Sequence, residues 1–223
     1  MRKSFALFDF DGTVIAGDSL LQFCLYARRQ GLMSRKQLWR SAWATLCYCL
    51  RLFTAEQSKM VALSFLAGKS QAELMALSQR FYLDQLRPLL RPQAVAALEK
   101  HRREGLTVLL VSASPSFYLE PLKAEYGIGA VIATRMDVDS SGTVTGLICG
   151  ENCKGIQKPL RLAEYLAATG DRLDYETSYA YGNSGDDFPM LALCGHKVAV
   201  NGSRRLRKEL QGETGTVWVR WND

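Results

Sequence analysis

Short apolar runs that lead to a polar side chain recur along this chain of 223 residues. The runs FALF and VLLV are followed by Asp9 and Ser112, and the run YAY is followed by Gly182 and then by Asn183. Runs of this length are typical of strands that are buried on both faces. Because helical patterns separate the later runs, we expect parallel strands joined by helices. Ligands of such sheets bind at the carboxyl ends of the strands, which is where these polar groups lie.

From residue 92 onwards the chain alternates between helical and extended patterns. Helices are predicted over residues 92–104, 115–126 and 156–168, and strands over 106–111, 130–134 and 178–182, with short strands near 197–200 and 216–219. Residues 136–146 read as two extended stretches around a Ser-Ser-Gly turn, which favours a hairpin over the calcium loop that the acidic residues there imitate. The alternation predicts an α/β fold with a Rossmann-like, doubly wound parallel sheet.

Residues 18–86 differ from the rest of the chain because their apolar side chains recur at helical spacing. Helices are predicted at 34–51, 54–66 and 70–86, after a first helix that begins near Asp18. Gly31 and Gly68 interrupt the pattern, and Pro88 marks its end. We therefore predict a core domain of residues 1–16 and 88–223, with a helical domain of residues 17–87 inserted after the first strand.

The composition is that of an ordinary globular protein, with 48% hydrophobic and 22% charged residues. The longest uncharged apolar stretch, residues 41–50, is half the length that a bilayer span needs. The apolar run at residues 5–8 ends too soon for a secretory signal, so we expect a cytoplasmic location. Six cysteines without metal-ligand spacing predict buried or neutral thiols.

The net charge of +6 arises from basic residues that are clustered along the chain. We favour the interpretation that these clusters are solvated helix faces. The alternative is attraction of an anionic substrate or of an anionic membrane surface. A nucleic-acid partner is not expected, because no nucleic-acid-binding motif accompanies the charge.

The segment DFDGT places two carboxylates directly after the first predicted strand. Asp9 and Asp11 are two positions apart, so both side chains point to the same side of an extended chain. Gly12 allows a sharp turn there. Because neighbouring carboxylates repel each other, we expect a cation between them, and Mg²⁺ suits oxygen ligands. The alternatives are a solvated turn and a calcium loop, although the twelfth position of such a loop would be Leu20 instead of glutamate.

Four motifs in this order carry a resemblance to a known family. DFDGT, the run VLLVS, Lys158 and GNSGDDFPML resemble the motifs of the haloacid-dehalogenase (HAD) superfamily. The segments VSAS and NCKGIQK resemble its phosphoserine-phosphatase-like branch, subfamily IB. The motifs run from residue 9 to about residue 191. The resemblance implies a Mg²⁺-dependent phosphomonoester hydrolase that forms an aspartyl-phosphate, acts on a small metabolite such as phosphoserine, and carries its inserted helices as a cap.

The resemblance also implies roles for individual residues. Asp9 would be the nucleophile, and Asp11 the general acid and then the general base. Ser112 and the backbone N–H of Ala113 would bind the phosphate, and Lys158, with Lys154 as its rival, would hold the phosphate and the nucleophile together. Ser114 and Pro115 are predicted to start the next helix as its N-cap and first residue.

The resemblance further implies metal ligands, which would be Asp9, Asp11, Asn183, Asp186 and Asp187. Asn183 departs from the family pattern, which has aspartate at that position. An amide oxygen still binds Mg²⁺ but brings no charge, so either the metal affinity is lower or Asp186 takes the position. An acidic residue near Asp18 contacts the substrate amine in phosphoserine phosphatases, although a helix N-cap explains Asp18 equally well.

Three functional alternatives remain open at this point. A lipid phosphate is an alternative substrate, because the inserted segment is rich in apolar and aromatic residues with arginines between them, and such a surface can contact a membrane. We favour the interpretation that these side chains form the interior of the segment and its contact with the core. A phosphotransferase would use the same intermediate, and a non-catalytic phosphoryl-binding protein would explain Asn183. The expected partner is a small phosphate ester; no oligomeric state is predicted.

Overall fold

The computed structural model describes residues 2–222, whose strands form two sheets. The strands are β1 (Arg2–Lys3), β2 (Phe5–Phe8), β3 (Thr107–Pro115), β4 (Ala130–Val138), β5 (Val144–Cys149), β6 (Arg172–Leu173), β7 (Tyr179–Gly182), β8 (His196–Val200) and β9 (Thr216–Val219). The main sheet has the order β5-β4-β3-β2-β7-β8-β9, in which only the β4–β5 pair is antiparallel. Strands β1 and β6 form a small parallel pair that the sequence patterns did not predict.

The helices fall into an inserted block and a set that connects the strands. They are α1 (Ser19–Arg29), α2 (Arg35–Cys49), α3 (Ala55–Leu63), α4 (Gln71–Phe81), α5 (Arg87–Leu89), α6 (Pro92–Arg103), α7 (Glu120–Tyr126), α8 (Gln157–Thr169), α9 (Phe188–Leu191) and α10 (Arg204–Glu209). A π-helical turn follows α4 at Tyr82–Leu86. No helix within residues 2–222 has both the length and the apolarity to cross a bilayer.

The register of the central strands brings the predicted polar groups to one edge. Strand β2 pairs in parallel with β3 and β7, and Phe8 lies opposite Leu110 on one side and Tyr181 on the other. These three residues lie one or two positions before the predicted polar groups, which are Asp9, Ser112 and Asn183. Buried side chains cover the sheet on both faces, because Phe8 and Leu110 belong to one hydrophobic cluster and Leu7 and Leu109 to another. The predicted doubly wound α/β fold is therefore confirmed.

Helices α1 to α5 are inserted between β2 and β3, as the sequence predicts. Polar caps explain where they begin: Ser34, Thr54 and Ser70 each form a capping box with a Gln or Glu three residues later. Aromatic rings pack the inserted helices against the turn that follows β3. The ring centroids of Phe23 and Phe81 lie 5.5 Å and 5.3 Å, respectively, from that of Tyr118. The proposed domain boundaries at residues 17 and 87 stay a prediction.

Two predictions at the end of β3 are wrong. The strand continues to Pro115, and the next helix begins only at Glu120 after a short 3₁₀ turn. Ser114 is not a helix N-cap, because it is still part of the strand and the turn that follows has no side-chain cap. The pairing of β3 with β4 shifts in register between Ser112 and Pro115, which lets the chain stay extended as it passes the ends of its neighbours.

The predicted hairpin is confirmed as the β4–β5 pair. Asp139 uses its carboxylate to organise the turn, because Oδ1 accepts hydrogen bonds from the backbone of Ser141 (2.9 Å) and Thr143 (3.0 Å). The hairpin also contacts the inserted helices, since the backbone N–H of Gly68 donates to Val144 O at 2.9 Å. The bond from Gly68 to Val144 connects the helical block to the sheet.

The prediction that the apolar side chains of the block form its interior is wrong for six large side chains in and directly after α2. Phe23 and Tyr26 are buried. The exposed members are Trp39, Trp43, Leu46, Tyr48, Leu50 and Leu52. The reason is that the buried face of α2 consists of the small residues Ser41, Ala44 and Cys47. All six cysteines are free thiols; Cys49 is exposed, and four of the others are buried.

Candidate active site

Three charged groups from different elements meet at the edge of the sheet. Asp9 directly follows β2, Lys158 lies in the first turn of α8, and Asp187 ends a 3₁₀ turn after β7. Lys158 Nζ lies 2.6 Å from Asp9 Oδ1 and 2.5 Å from Asp187 Oδ1. All three side chains are almost completely buried. Burial alone would lower the pKa of Lys158, but Asp187 and Asp9 outweigh it and raise that pKa, so the lysine stays charged.

The carboxylates of Asp9 and Asp187 differ in the other hydrogen bonds that they accept. Asp187 Oδ2 also accepts hydrogen bonds from the backbone N–H groups of Asn183 (3.0 Å) and Ser184 (2.8 Å) and from Ser184 Oγ (2.9 Å). Burial works against ionisation of Asp187, but Lys158 and these donors lower its pKa. Among residues 2–222, Asp9 Oδ2 accepts a hydrogen bond only from Thr13 Oγ1, at 3.3 Å. Burial, followed by the charge of Asp187, therefore raises the pKa of Asp9 to about 7.

Asp11 lies in a separate hydrogen-bond network. Its Oδ1 accepts from the backbone N–H of Ser19 at 2.8 Å, and its Oδ2 contacts Ser114 Oγ. Ser19 Oγ lies 2.9 Å from both Ser114 Oγ and Tyr118 OH. Burial and then the neighbouring charge of Asp18 raise the pKa of Asp11, against the effect of these hydrogen bonds. The carboxyl of Asp11 is thus easier to protonate than an ordinary aspartate.

Asn183 contacts the turn that follows Asp9. Gly12 has φ of +76°, and a Cβ added there would lie 2.1 Å from Asn183 Nδ2, so glycine is needed both for the turn and for the contact. Within residues 2–222, the Asn183 side chain makes no hydrogen bond. Asp186 is engaged elsewhere, with Lys154 Nζ and Arg205 at 3.1 Å each. The structure therefore places Asn183, and not Asp186, beside the Asp9 turn.

The charge balance of the site fits a hard divalent cation. Asp9 and Asp187 are buried acids, Asp11 is a half-buried one, and Lys158 is the cation that contacts the two buried ones. In the described part of the chain no three Asp, Glu, His or Cys side chains converge as a metal cage. A carboxylate and the unpaired amide of Asn183 nevertheless offer oxygen donors, and Mg²⁺ needs few protein ligands because it keeps several waters.

A cavity of about 260 Å³ separates this edge of the sheet from the inserted helices. Its walls include Asp11 and Ser114 on the side of the strand ends, and Asp18, Tyr48 and Lys59 on the side of the inserted helices. The volume suits a small molecule. Asp18 caps α1 by accepting from Leu21 N at 2.9 Å, which confirms its predicted role as an N-cap. It also lines this cavity, whereas its role toward a substrate amine stays a prediction.

Comparison with known proteins agrees with this geometry. The sequence profile of the haloacid dehalogenase-like hydrolases matches residues 6–192, which is most of the chain. The chain belongs to this family. The resemblance inferred from the four motifs is confirmed, and the family is one of enzymes.

Two relatives carry the names of phosphatases. A probable phosphatase of Mycobacterium tuberculosis is 31% identical, with 93% of this chain matching 72% of that protein. A histidinol-phosphatase of Neisseria meningitidis is 28% identical, and the match covers 93% of this chain and 94% of the relative.

Two solved structures share the fold. A protein of unknown function from Bordetella pertussis superposes with a TM-score of 0.86 at 30% identity, covering 97% of this chain and 99% of the other. A phosphoserine phosphatase solved as an analogue of its phospho-aspartyl intermediate superposes with a TM-score of 0.66 at 20% identity, covering 98% and 94% of the two chains. The HAD fold of this chain is thereby established.

The two rival lysines of the HAD motif occupy different positions. Lys158 contacts Asp9, whereas Lys154 Nζ lies 2.6 Å from Tyr48 OH of α2 and also pairs with Asp186. Lys154 therefore connects the core to the inserted helices. Ser112 is buried in β3, where its Oγ accepts from Ser114 N at 3.1 Å.

Lys59 is a buried cation that the inserted helices supply to the cavity, and no sequence motif predicts it. Lys59 lies in α3, and its Nζ contacts the carbonyl of Ala113 and lies 2.6 Å from Asn152 Oδ1. Burial lowers its pKa to about 8. The available signal was weak: Lys59 shares the buried face of its helix with Ala62 and Leu63, three and four positions later.

Proposed function

We propose that this protein is a Mg²⁺-dependent phosphomonoester hydrolase that forms an aspartyl-phosphate on Asp9. The observation that carries the proposal is the buried cluster in which Lys158 contacts both Asp9 and Asp187 at the carboxyl ends of the strands. A nucleophilic carboxylate needs a fixed cation to approach an anionic phosphate, and Lys158 supplies one at Asp9 Oδ1.

In the first proposed step, a carboxylate oxygen of Asp9 attacks phosphorus. The new O–P bond forms while the bond from phosphorus to the leaving alcohol oxygen breaks. Asp11 gives its proton to that oxygen, so that an alcohol leaves instead of an alkoxide. The raised pKa of Asp11 supports this role, because an acid must hold a proton at the pH of the reaction.

In the second proposed step, water attacks the phosphorus of the aspartyl-phosphate. Asp11, now ionised, takes a proton from the water, and the bond between phosphorus and the Asp9 oxygen breaks. Inorganic phosphate and free Asp9 are the products. Ser112 and the backbone of Ala113 are proposed to bind the phosphate oxygens, and Lys158 balances the negative charge that Asp9 and phosphate bring together.

The proposed Mg²⁺ would be held by Asp9 and Asn183, because the carboxyl of Asp11 must hold the proton that the first step requires. When bound, the ion would offset the charges of the phosphate and the nucleophile. Asp187 would support the site through Lys158 and the backbone N–H of Asn183, to which it is already bonded. Asp186 is the weakest candidate ligand, because Lys154 and Arg205 already neutralise it.

Replacing Asn183 with aspartate should strengthen the metal site. The added negative charge beside the Asp9 turn should lower the Mg²⁺ concentration for half-maximal rate by about tenfold. The measurement is phosphate release as a function of Mg²⁺ for wild type and N183D. As a control, Asp186→Asn should leave the Mg²⁺ dependence unchanged. If D186N raises the required Mg²⁺ and N183D has no effect, then Asp186 is the ligand.

For the substrate, we propose a small phosphate ester that carries an amine. Asp18 supplies a carboxylate at the cavity wall, and Lys59 supplies a cation for a second anionic group such as a carboxylate. The phosphoserine and histidinol phosphate that the related proteins' names indicate both carry an amine. The test is Mg²⁺-dependent phosphate release from phosphoserine, histidinol phosphate, an aryl phosphate, sugar phosphates and a lipid phosphate in micelles. No release from any of them would refute the proposed activity.

The pH dependence should reveal whether Lys59 binds the substrate. Its pKa of about 8 lies below the usual value for lysine, so its charge is lost as pH rises through 8. Above that pH, KM for phosphoserine should rise by about tenfold, since one charge pair with the carboxylate is lost. The control substrate is an aryl phosphate without a carboxylate, whose KM should not change at this pH.

Two variants complete the test of Lys59. Lys59→Met should raise KM for phosphoserine at pH 7 and remove the step near pH 8, whereas Lys208→Met, at an exposed lysine of α10, should change neither. If KM for phosphoserine still rises near pH 8 in K59M, then a group other than Lys59 causes the pH dependence.

A further inference from the structure

Helix α2 presents its large apolar side chains to solvent. Trp39, Trp43, Leu46 and Leu50 recur at positions i, i+4, i+7 and i+11, which places them on one side of the helix as an apolar stripe. Trp39 is 77% exposed and Leu50 61% exposed. Leu52, 70% exposed, extends the stripe at its end, and Trp43 is held by Phe53 with ring centroids 5.5 Å apart.

This arrangement reverses the usual one, in which large apolar residues face the interior and small or polar ones face water. The buried face of α2 is made of Ser41, Ala44 and Cys47. A contiguous exposed apolar surface of this kind marks a contact site in globular proteins. The apolar stripe on α2 is therefore expected to contact another surface.

The charge around the stripe indicates the chemistry of the surface that it contacts. Residues 19–55 contain six basic residues and no Asp or Glu. The whole chain has 28 basic and 22 acidic residues, so the remainder has 22 of each. The entire net charge of +6 therefore lies in the segment that carries the stripe. Lys36 and Arg40, both exposed, lie beside the stripe on α2.

We propose that the apolar stripe and its basic flank dock this protein onto an anionic lipid bilayer, with α2 lying in the plane of the surface. Tryptophan and leucine side chains would enter the boundary between headgroups and acyl chains, and the basic side chains would meet anionic headgroups. This is the combination that interfacial amphipathic helices use.

Two other occupants fit the surface less well. A symmetric dimer through this face would bring two segments of charge +6 together, with no acidic residue in either to pair with them. A nucleic acid would match the charge and could stack on the tryptophans, but it would leave the leucines of the stripe without an apolar partner.

Docking through α2 would also hold the cavity close to the bilayer. Thr45 and Tyr48 of the same helix line that cavity. A phosphate ester in the interfacial region would then be near the catalytic groups. The inference goes beyond the proposed function and does not depend on it, because docking requires neither Asp9 nor turnover.

The test is flotation of the full chain with vesicles of phosphatidylcholine alone or mixed with phosphatidylglycerol. Wild type should float with the anionic vesicles and not with the neutral ones, and its tryptophan emission should shift to shorter wavelength on binding. D9N should bind as wild type does, which separates docking from catalysis.

Matched pairs of variants identify the surface. Leu46→Ala with Leu50→Ala keeps both tryptophans as reporters and should weaken binding by about tenfold or more. Met75→Ala with Leu160→Ala removes comparably exposed side chains from other helices and should not weaken it. Lys36→Gln with Arg40→Gln should weaken binding about fivefold per charge. Arg204→Gln with Lys208→Gln removes the same charge from α10 and should have little effect.

Several results would overturn the proposal. They are no flotation of wild type, equal flotation of the L46A/L50A variant, and equal weakening by the control pairs. A wild-type dimer in sedimentation equilibrium that L46A/L50A converts to a monomer would identify a second copy as the occupant. Retention on a single-stranded oligonucleotide that is lost in L46A/L50A, without binding to vesicles, would identify a nucleic acid.

Discussion

Asp9→Asn should lower phosphate release by about 10⁴-fold or more while leaving the chain folded. The amide is nearly the same size as the carboxylate but is not a nucleophile toward phosphorus. Lys158 retains Asp187 as its partner, at 2.5 Å, so no buried charge loses its last counterion. The measurement is the rate of phosphate release at saturating Mg²⁺, with circular dichroism and urea unfolding on the same preparations.

The stability of D9N relative to wild type should increase as the pH rises. The pKa of Asp9 is about 7 in the folded protein and 3.8 as the ordinary value, so folding favours its protonated form. The stability that this proton contributes is fully present below the ordinary value and is lost as pH rises through about 7. Asparagine does not titrate. In the absence of metal, D9N should therefore gain stability relative to wild type as pH rises from 5 to 8.

The control for D9N is Asp139→Asn at the exposed hairpin turn, which removes one carboxylate without touching the site. It should keep the activity of wild type. A folded D9N that releases phosphate at the wild-type rate would refute Asp9 as the nucleophile, whatever its stability.

The strand-end groups could be predicted because their positions follow from local rules. A short apolar run that ends on Asp9 or Ser112 specifies a buried parallel strand, and parallel strands bring such ends to one edge. Only the spacing of the HAD motif favours Lys158 over Lys154 as the lysine that contacts Asp9, because both are single lysines near the start of a helix. The structure then shows which of them contacts Asp9.

Two other groups of the site could not be predicted in the same way. Lys59 reaches the cavity through the packing of α3, and Ser114 contacts Asp11 because β3 extends to Pro115. Local sequence patterns give only a weak signal for Lys59 and none for the extension of β3. Helical periodicity predicted that α2 is amphipathic, but the prediction that its large apolar side chains face the interior is wrong. That outcome was decided by three small residues, including Ala44, that allow close approach to α3.

Lys158→Met should be the most destabilising single change at this site. Lys158 is almost fully buried, and its charge balances two buried carboxylates. Removing one partner of a buried ion pair costs about 3–5 kcal/mol, because the remaining charge is left without a counterion. Urea unfolding at pH 7 measures this loss. K158M should also lose most of its activity, because Lys158 is the cation that contacts Asp9 Oδ1 where the phosphate would approach.

The control for K158M is Lys154→Met, four positions earlier. The side chain of Lys154 is about one-third exposed, and its partners are Tyr48 OH and Asp186. Solvent screens such a pair, so its loss should cost about 1 kcal/mol or less. Equal destabilisation by K154M and K158M would contradict the assignment of the buried cluster.

The double variant K158M/D9N tests the physical cause of the loss. If K158M is destabilised because Asp9 and Asp187 are left uncompensated, then D9N removes one of the two charges and should restore part of the lost stability. The two changes should therefore be strongly non-additive in a double-mutant cycle. Lower pH should help K158M as well, because Lys158 is what holds the pKa of Asp9 down against burial and Asp187. A K158M variant whose stability neither D9N nor acid improves would have lost packing, not charge balance, and Lys158 would then not be the counterion that the proposed mechanism needs.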